Sequence, residues 1–574
     1  MHFRWAYLKR VLAGAIFGLY MAHLLYFLNP QVDVTPSLLA LVTLIYGAIC
    51  GLLFGSILWG LRALRVRLFG RPDASGAYRA HGFGFVVLAA FASSLIYWIH
   101  LTAVQKPLYL PIGAVRILNK ATNTITLTAF VLLVLWFLER NADRMKSRAL
   151  FVTGVVVIAA SSISLYERRD SYRTETHAVV ADIGTVAGKR PVIVVAIRNF
   201  PYDWILTMAG EGSLPFFDQA RTRGYLTRLE PFPTMSPKSI WASVATGKLP
   251  FRHGVTGRLG YATPLNRAGE RFLIIPGGVG FKAWGLIPPV RRISTPLPAG
   301  LSLPFWTLFE RLGLHATVIG WPWSEPAGAA RIVSDRYFDN APRKASDVTP
   351  PQFAAEIARL ETAPPESETQ RFNGTGDARP RIVSGLAADL TSIAVLRASA
   401  PAFPLTVCTL GGFEQTQRAI HIFNDELPQR STVKGAVLRA YAEQIDRMLA
   451  ALARDYPDHM IVVVSPSGPV PPQLPATPYA LLHDFVDPAD PSADDGFVLI
   501  HGARVVHSEK PRSALAVDVV PTVLYIAGLP VGRDMDGSVL SEAFAEELLR
   551  SNPLSLVQTY EAQQLVVRRS GAEH

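Results

Sequence analysis

The pattern of hydrophobic and polar residues divides the chain into an apolar N-terminal part and a longer part of short alternating elements. Five long apolar segments precede residue 166, at 11–28, 38–61, 83–101, 125–138 and 149–165. About twenty helical residues cross the hydrocarbon core of a bilayer. The pattern therefore predicts an all-α transmembrane region of about five helices over residues 1–169, in which the fourth and fifth spans are short.

Beyond residue 190, short apolar runs alternate with a helix-like segment. The runs lie at 192–197, 317–320, 405–410, 460–465 and 497–501, and residues 433–456 have apolar positions at helical spacing. Such alternation predicts an α/β domain with a mostly parallel sheet, which carries its chemistry at the carboxyl ends of the strands. We place this domain at 191–545, between an irregular juxtamembrane linker at 170–190 and a C-terminal tail at 546–574.

Two stretches of this domain look like insertions, at 257–302 and 340–380. The first contains the apolar segment 272–290, which we expect either to lie against the membrane or to roof a pocket.

Charge excludes one large class of partners. Residues 1–169 hold 17 Lys and Arg against 5 Asp and Glu, whereas the remaining residues hold 39 against 40. The predicted domain is therefore close to neutral and lacks the basic surface that nucleic acid requires. Only two cysteines are present, Cys50 and Cys408, so neither a disulfide framework nor a Cys-based zinc site is expected.

Loop charge predicts the orientation in the membrane. The N-terminus and the loops at 62–79 and 140–148 hold twelve Lys and Arg, whereas the two intervening loops hold only Lys106, Arg116 and Lys120. By the positive-inside rule the N-terminus is cytoplasmic, and five crossings place the C-terminal domain in the periplasm or outside the cell. The helices are expected to contact the lipid bilayer as an anchor, and the alternatives are lipid handling or binding of a membrane protein partner.

Four sequence blocks carry a family resemblance. The run FPTMSPKSIWASVATGKLPFRHGV at 232–255 resembles the nucleophile segment of the type I phosphodiesterase/nucleotide pyrophosphatase family, within the alkaline phosphatase superfamily. Blocks at 318–327, 334–336 and 517–537 follow in the order of that family. The resemblance implies an alkaline-phosphatase-like sandwich, with Ser236 at the nucleophile position and Ser239 in an alternative register. We expect Trp241, Thr246, Gly247, His253 and Gly254 to maintain the fold.

The resemblance also implies two metal ions, zinc or manganese, held by Asp and His ligands that activate the nucleophile. Here Arg198 and Asn199 stand where Asp-Gly is expected, Arg418 stands in place of a His, and Ser465-Pro466-Ser467 replaces Ser-Asp-His. A final His before residue 496 is absent as well. We therefore predict no metal cofactor, with Glu414 and His421 as weak candidate ligands that would share a face if their segment is helical.

An acidic loop forms a separate candidate for a hard cation. It contains His483, Asp484, Asp494 and Asp495, and its alternative interpretation is an ordinary solvated connection.

The replacements suggest an anion site in place of the metal site. Arg198, Lys238 and Arg418 would gather near a helix that begins at Ser236, and cations beside helix-end amides bind phosphate, sulfate or carboxylate. The ligand would be an anionic group of a lipid or glycan. The alternative is that the two arginines pair with local acids, Asp203 or Glu414. Without a metal or a base Ser236 is a poor nucleophile, and we interpret it as a helix N-cap.

Two functional classes follow. The first is a membrane-anchored pseudoenzyme that binds an anionic lipid or glycan group or acts as a scaffold in envelope assembly. The second is an active phosphodiesterase or phosphoryl-group transferase that uses Ser236 and zinc or manganese. The residues alone leave open whether catalysis survives, as well as the ligand, the partner proteins and the oligomeric state.

Overall fold

The chain forms two compact units. The computed structural model describes residues 2–70, 82–105, 110–140, 144–171, 180–186, 190–230, 237–255, 260–262, 272, 291–293, 302–325, 328, 330–339, 343–423, 426–469, 495–562 and 564–569. The first unit comprises residues 1–176, 258–294 and 476–487, and the second comprises 177–257, 295–475 and 488–574. Most of the first predicted insertion thus groups with the N-terminal helices.

Long helices build the N-terminal unit. They are α1 (His2–Phe27), α2 (Pro36–Phe69), α3 (Gly82–Gln105), α4 (Ile112–Arg140) and α5 (Arg144–Asp170). Each contains a stretch long and apolar enough to cross a membrane. The prediction of several N-terminal apolar helices is therefore confirmed.

The fourth and fifth apolar spans are longer than predicted. They cover Ile112–Glu139 and Arg148–Asp170, so Arg116 and Lys120 lie within a helix and not in a loop. Charged and amide residues hid the continuity of the fourth span, because Arg116, Asn119, Lys120 and Asn123 interrupt the hydrophobic pattern, and threonines add to this. In the helix Thr122 donates its hydroxyl to the Leu118 carbonyl at 2.8 Å, which satisfies the polar group locally.

Glycines bring α1 and α2 into close contact. A Cβ atom on Gly14 would lie 2.5 Å from the backbone oxygen of Cys50, and one on Gly18 would lie 2.5 Å from that of Tyr46. Small residues allow helix backbones to approach in a bilayer, where the packing itself drives association. These two glycines therefore set the separation of the first helical hairpin.

A buried arginine fixes the turn between α1 and α2. Arg169, near the end of α5, donates from Nε to the Tyr26 carbonyl at 2.7 Å and from Nη2 to the Pro30 and Val32 carbonyls at 3.1 and 2.8 Å. Phe272 packs against the same region, with its ring centroid 6.1 Å from that of Tyr26. Residues 273–290 of the apolar segment lie outside the described residues.

The strands of the chain are mostly short. They are β1 (Val180–Val186), β2 (Val192–Ile197), β3 (Tyr225–Glu230), β4 (Gly260–Ala262), β5 (Arg291–Ile293), β6 (Ala316–Ile319), β7 (Arg331–Val333), β8 (Val348–Thr349), β9 (Leu405–Leu410), β10 (Met460–Ser467), β11 (Asp495–His501), β12 (Ala514–Leu515), β13 (Val531–Gly532), β14 (Leu556–Val557) and β15 (Gln564–Arg569). Among the described residues, nine of them form one sheet in the order β12-β3-β11-β10-β2-β9-β6-β7-β8.

Helices cover this sheet in the second unit. They are α6 (Tyr202–Gly210), α7 (Pro215–Arg223), α8 (Pro237–Thr246), α9 (Pro250–His253), α10 (Phe305–Arg311), α11 (Arg336–Asp339), α12 (Phe353–Arg359), α13 (Glu366–Gln370), α14 (Arg379–Ser399), α15 (Gly412–Ala419), α16 (Val433–Asp455), α17 (Val519–Ile526) and α18 (Glu546–Ser551).

The centre of the sheet is parallel, as predicted. Strands β10, β2, β9, β6 and β7 run in the same direction, and every residue of β2 is buried. Alternate residues of β2 face two separate cores: Val194 packs in the core that contains Trp241 of α8, and Ile193 packs in the core that contains Tyr441 of α16. Strand β11 differs, since it is antiparallel to both β10 and β3.

Three segments depart from the sequence expectations. Within the linker, which we expected to be irregular, residues 180–186 form β1, which pairs in parallel with β15 in the predicted tail. Strand β8, inside the predicted insertion at 340–380, extends the edge of the central sheet. The segment Gly376–Ser399 is also apolar enough to cross a membrane, but its residues Ile382, Leu386 and Ile393 are buried in a core of the second unit.

Candidate functional site

Strand β2 ends at the position where the resemblance predicts a metal-binding carboxylate. Its next residue is Arg198, whose backbone N–H donates to the Leu410 carbonyl at 3.1 Å and so continues the ladder with β9. Asn199 then turns the chain with a φ of 57°, in the left-handed region where Asn is tolerated better than most residues. The strand thus delivers a guanidinium group to the carboxyl edge of the sheet.

The Arg198 guanidinium contacts two carboxylates from different elements. Its Nη1 lies 3.5 Å from Glu414 Oε2, and its Nη2 lies 3.5 Å from Asp335 Oδ2. Both distances are longer than the usual 2.7–2.9 Å of a charge-assisted hydrogen bond. Its Nε is buried without a hydrogen-bond partner among the described residues. The group is therefore held loosely by charge and keeps unused donors.

Glu414 links the two predicted arginines. It lies in the first turn of α15, and its Oε1 accepts a hydrogen bond from Arg418 Nη2 at 2.5 Å, one helical turn later. Arg418 is otherwise exposed. Of the two local acids considered from the sequence, Glu414 is the partner of Arg198 and Arg418, whereas Asp203 pairs with Arg228 at 2.7 Å.

Lys238, the third predicted cation, lies in the first turn of α8. Burial lowers the pKa of its ammonium group, and the nearby charges of Asp335 and Glu325 raise that pKa in part. The same two acids also approach other groups at this edge, since Glu325 pairs with Arg336 at 3.5 Å. Arg198 and Lys238 therefore share Asp335 as a common neighbour.

A buried carboxylate positions the turn that leads into α15. Asp389 of α14 accepts hydrogen bonds from the backbone N–H of Gly411 at 2.9 Å, from that of Gly412 at 3.2 Å and from the Tyr441 hydroxyl at 2.9 Å. Burial raises the pKa of Asp389 to about 7, against the lowering effects of these donors and of Arg198. Asp389 therefore fixes the segment that carries Glu414.

The third degenerate position has a structural use. Ser465, where the resemblance predicts the start of Ser-Asp-His, is buried in β10 and its hydroxyl accepts a hydrogen bond from the Phe200 backbone N–H at 3.0 Å. The chain continues as strand through Ser467. This hydroxyl therefore holds the turn that follows Arg198.

The predicted nucleophile segment is only partly described. Ser236 lies outside the described residues, directly before the start of α8 at Pro237, so its role as an N-cap stays a prediction. Ser239, the alternative register, is fully buried and donates its hydroxyl to the Val255 carbonyl at 2.7 Å. Its position does not suit a nucleophile.

The remaining residues of that segment support the fold. His253 Nδ1 accepts from the Val255 N–H at 3.0 Å, which leaves Nε2 to donate to Ser243 at 3.0 Å. Burial lowers the pKa of His253 to about 3, so the ring is neutral. Gly247 and Gly254 have φ values of 69° and 72°, a conformation that favours glycine.

Two further residues of the segment pack internally. The Trp241 ring meets Trp321 edge to face at 5.3 Å, and the Thr246 hydroxyl donates to the Ala242 carbonyl at 2.8 Å.

The last sequence block also acts structurally. Asp534 Oδ2 lies 2.7 Å from Lys248 Nζ, and Asp536 accepts from the Leu249 backbone N–H at 2.8 Å and from Arg252 Nε at 3.1 Å. Both acids therefore bind the loop that follows α8.

The described residues do not suit a pair of divalent ions. Among the described residues, the carboxylates that contact Arg198 are Glu414 and Asp335, and both face a guanidinium instead of a metal. Within the part of the chain that the structure describes, no three His, Cys, Asp or Glu side chains group as metal ligands do. A dication here would meet the repulsion of Arg198.

The weak candidate His421 is not on the helix of Glu414. Helix α15 ends at Ala419, and His421 adopts a φ of 56° at an exposed position. The condition that both residues share one helical face is therefore not met. In the acidic loop, His483, Asp484 and Asp494 lie outside the described residues, and Asp495 pairs with Arg228.

Sequence reasoning missed three residues of this site. Asp335 and Trp323 lie within blocks that match the family as a whole and do not single out either residue, and Asp389 lies within an apolar helix. Trp323 has a φ of 57°, and its backbone N–H donates to Asp335 Oδ2 at 2.9 Å. For Asp335 the available signal was its position directly after a strand, where acidic residues can reach the site.

Comparisons with known proteins agree with the sequence resemblance. Residues 192–471 match the type I phosphodiesterase / nucleotide pyrophosphatase family. No curated protein matches the chain.

Among solved structures, the phosphonate monoester hydrolase of Silicibacter pomeroyi has a TM-score of 0.35 at 13% identity, over 61% of this chain and 76% of its own. Murine ectonucleotide pyrophosphatase / phosphodiesterase 5 has a TM-score of 0.32 at 12% identity, over 59% and 95%. Alkaline phosphatase PafA has a TM-score of 0.38 at 11% identity, over 62% and 100%. Through residues 192–471 the chain is therefore similar to the type I phosphodiesterase/nucleotide pyrophosphatase family.

Proposed function

We propose that this protein is a membrane-anchored pseudoenzyme whose phosphodiesterase-like domain binds the anionic group of an envelope lipid or glycan without cleaving it. The observation that carries this proposal is Arg198, whose guanidinium lies between Glu414 and Asp335 at the end of β2. The positive charge of Arg198 balances these two carboxylates in the absence of a metal ion. The chemistry left to the site is recognition of charge.

The contacts of Arg198 support anion binding. A guanidinium has five N–H donors, and here two of them meet carboxylates at 3.5 Å while Nε has no partner among the described residues. A phosphate, sulfate or carboxylate offers oxygens at shorter distances and in the bidentate geometry that Arg prefers. Lys238, which is near Asp335, and Arg418, which pairs with Glu414, add further positive charge.

Binding at this site is tested by titrating sulfate and phosphate into the full-length protein in detergent. We expect Arg198→Gln to weaken binding about 10- to 100-fold, since a charge-assisted hydrogen bond contributes about 1.5–3 kcal/mol. The matched control is Arg550→Gln, because Arg550 is an exposed arginine of α18 paired with Glu546. Absence of binding in the wild type, or equal affinities in both variants, would overturn the anion site.

Catalysis is tested separately with a chromogenic phosphodiester in the presence of zinc or manganese. We expect no turnover above background and no effect of Ser236→Ala. Metal-dependent turnover that Ser236→Ala abolishes would instead establish an active phosphodiesterase or transferase.

The proposed location places the domain on the periplasmic or extracellular side. Five apolar helices precede it, and the Lys and Arg residues are concentrated at 2–10, 62–79 and 140–148. A reporter that is active only outside the cytoplasm, fused after residue 574, should be active. Activity of a cytoplasm-specific reporter at the same position would contradict this orientation.

A further inference from the structure

A row of four residues crosses the carboxyl edge of the central sheet. Ala196 of β2 pairs with Thr409 of β9. Ile319 of β6 pairs with Cys408 of β9 and with Val333 of β7. Gly320, the next residue, therefore lies beside Thr409 and Ser334. A Cβ atom on Gly320 would lie 3.8 Å from the Thr409 Cβ, which confirms that these two residues are neighbours. Thr409 and Ser334 therefore present hydroxyls on either side of a glycine.

This row faces the core that contains α8. Successive residues of a strand point to opposite faces. Val407 and Ile332, two residues before Thr409 and Ser334, pack in the same core as Trp241 of α8. Arg198 stands two residues beyond Ala196, so it shares this face. The cation and the two hydroxyls therefore lie on one side of the sheet.

The two hydroxyls of this row, and that of Ser324 next to Trp323, have no hydrogen-bond partner among the described residues. Thr409 Oγ1, Ser334 Oγ and Ser324 Oγ are each buried without a hydrogen bond to any described residue, and all three residues are at least nine-tenths buried. An unsatisfied buried polar group costs about 1–3 kcal/mol, so clusters of them call for an explanation. Thr409 and Ser334 lie at the edge where Arg198 also keeps an unused donor, and Ser324 follows Trp323, whose backbone N–H binds Asp335.

Arg198 extends along this edge above the row. Its side chain starts at the end of β2 and reaches Asp335, which follows Ser334 at the end of β7. A Cβ atom on Gly411, directly after β9, would lie 3.8 Å from Arg198 Cδ and 4.0 Å from its Nε. The guanidinium therefore passes over the end of β9, and its ion pair with Asp335 reaches the residue that follows Ser334.

An exposed aromatic ring lies next to this edge. Trp323 is 38% exposed, although the neighbouring Trp321 is fully buried. Its φ of 57° is a strained conformation for a bulky residue, and Asp335 holds it there through the backbone N–H. The carboxylate that contacts Arg198 therefore also presents the Trp323 ring to solvent.

We propose that this edge is a binding site for an acidic sugar without a nucleobase, either a hexose phosphate or a uronic acid. The acidic group binds the Arg198 guanidinium in place of Glu414 and Asp335. The sugar ring lies on Trp323, and sugar hydroxyls bond to Thr409, Ser334 and Ser324. This inference rests on the proposed function and names the glycan, not the lipid, as the source of the anion.

The hydroxyl row favours a sugar over an anion that carries an acyl chain. Serine and threonine hydroxyls both donate and accept, as sugar hydroxyls do, so each can pair with the other. An acyl chain has no polar groups for them.

The test compares glucose 1-phosphate, glucuronate, AMP and inorganic phosphate as ligands of the full-length protein. We expect the two acidic sugars to bind at least about tenfold more tightly than inorganic phosphate, and more tightly than AMP. Trp323→Gly should remove most of this difference, since aromatic contacts of this kind contribute on the order of a tenfold change in affinity. Glycine adopts a φ of 57° without strain, so the variant should remain folded.

A second pair of variants isolates the hydroxyls. Thr409→Val should weaken the acidic sugars about fivefold and leave inorganic phosphate unchanged. The matched control is Thr317→Val, because Thr317 Oγ1 is also buried without a partner among the described residues. Thr317 precedes Val318, which packs in the core of α8, so its side chain points to the other face of the sheet. This control should change neither affinity.

The outcomes separate the two proposals. Equal binding of phosphate and sugars, with no effect of Trp323→Gly, would overturn the sugar site while the anion site stands. Tighter binding of AMP than of the sugars would overturn the ligand class. No binding of any probe, in a wild type that is folded, would overturn both.

Discussion

The ammonium group of Lys248 lies 2.7 Å from Asp534 and 2.8 Å from Glu561 in the interior of the second unit. We expect Lys248→Met to lower the free energy of unfolding by about 3–5 kcal/mol, because two buried carboxylates lose their counter-charge. Thermal unfolding followed by tryptophan fluorescence measures this loss. Arg550→Ala, which removes an exposed ion pair with Glu546, should change stability by less than about 0.5 kcal/mol. Similar effects of the two variants would show that the buried cluster is not stabilising.

Replacing Arg198 with a carboxylate should make stability depend on metal. Arg198→Asp places a third negative charge beside Glu414 and Asp335, and we expect a loss of about 1–3 kcal/mol from charge repulsion. Zinc or manganese should raise the melting temperature of this variant and leave that of the wild type unchanged. A wild type stabilised by either ion to the same degree would contradict our interpretation of the site.

The buried Asp389 predicts a stability that falls as pH rises. Burial raises its pKa to about 7, so the folded protein favours the protonated form. The contribution of Asp389 to the free energy of unfolding is complete below about pH 4, the ordinary pKa of Asp, and is lost as pH rises through about 7. We expect Asp389→Asn to reduce the decline between pH 4 and 7, and the exposed Asp377→Asn to leave it unchanged. The measurement is the free energy of unfolding of each variant against pH.

The charged group that faces Asp389 is Arg198, and its titratable neighbours are Tyr441 and Cys408. A steeper decline in Asp389→Asn than in the wild type would contradict this assignment.

The glycines of α1 predict a steric limit in the N-terminal unit. Gly18→Leu should separate α1 from α2, because a Cβ atom at this position meets the Tyr46 backbone at 2.5 Å. Gly60→Leu is the control within α2, since a Cβ atom there has no neighbour within 4 Å. We expect a lower melting temperature in detergent for the first variant only. Equal melting temperatures would show that the hairpin adapts by a small shift.

Much of the architecture was predictable from the sequence, because the central strands are buried along their whole length and are therefore continuously apolar. Strands β2 and β9 and helix α16 have the predicted bounds to within a residue, since their apolar patterns are uninterrupted. Strand β8 was not predictable, because a strand of two residues carries no pattern. The strand β1 was missed because its partner, β15, lies at the other end of the unit.

The chemistry of the site was predictable only in part. The position of Arg198 follows from the end of a buried strand, and its pairing with Glu414 was one of two open alternatives. Its contact with Asp335 depends on how β7 and β2 approach across two intervening strands, which no local pattern encodes. Trp323 was invisible for a related reason, since its exposure results from a strained backbone that Asp335 maintains.

The pairing of β1 with β15 constrains how the protein is made. Residues 180–186 leave the ribosome hundreds of residues before their partner at 564–569. Until residues 564–569 have been made, β1 lacks this partner, and an open strand edge favours wrong pairing with other chains. Completion of this pair must therefore wait until residues 564–569 have left the ribosome, and a premature stop near residue 560 would leave β1 without its partner.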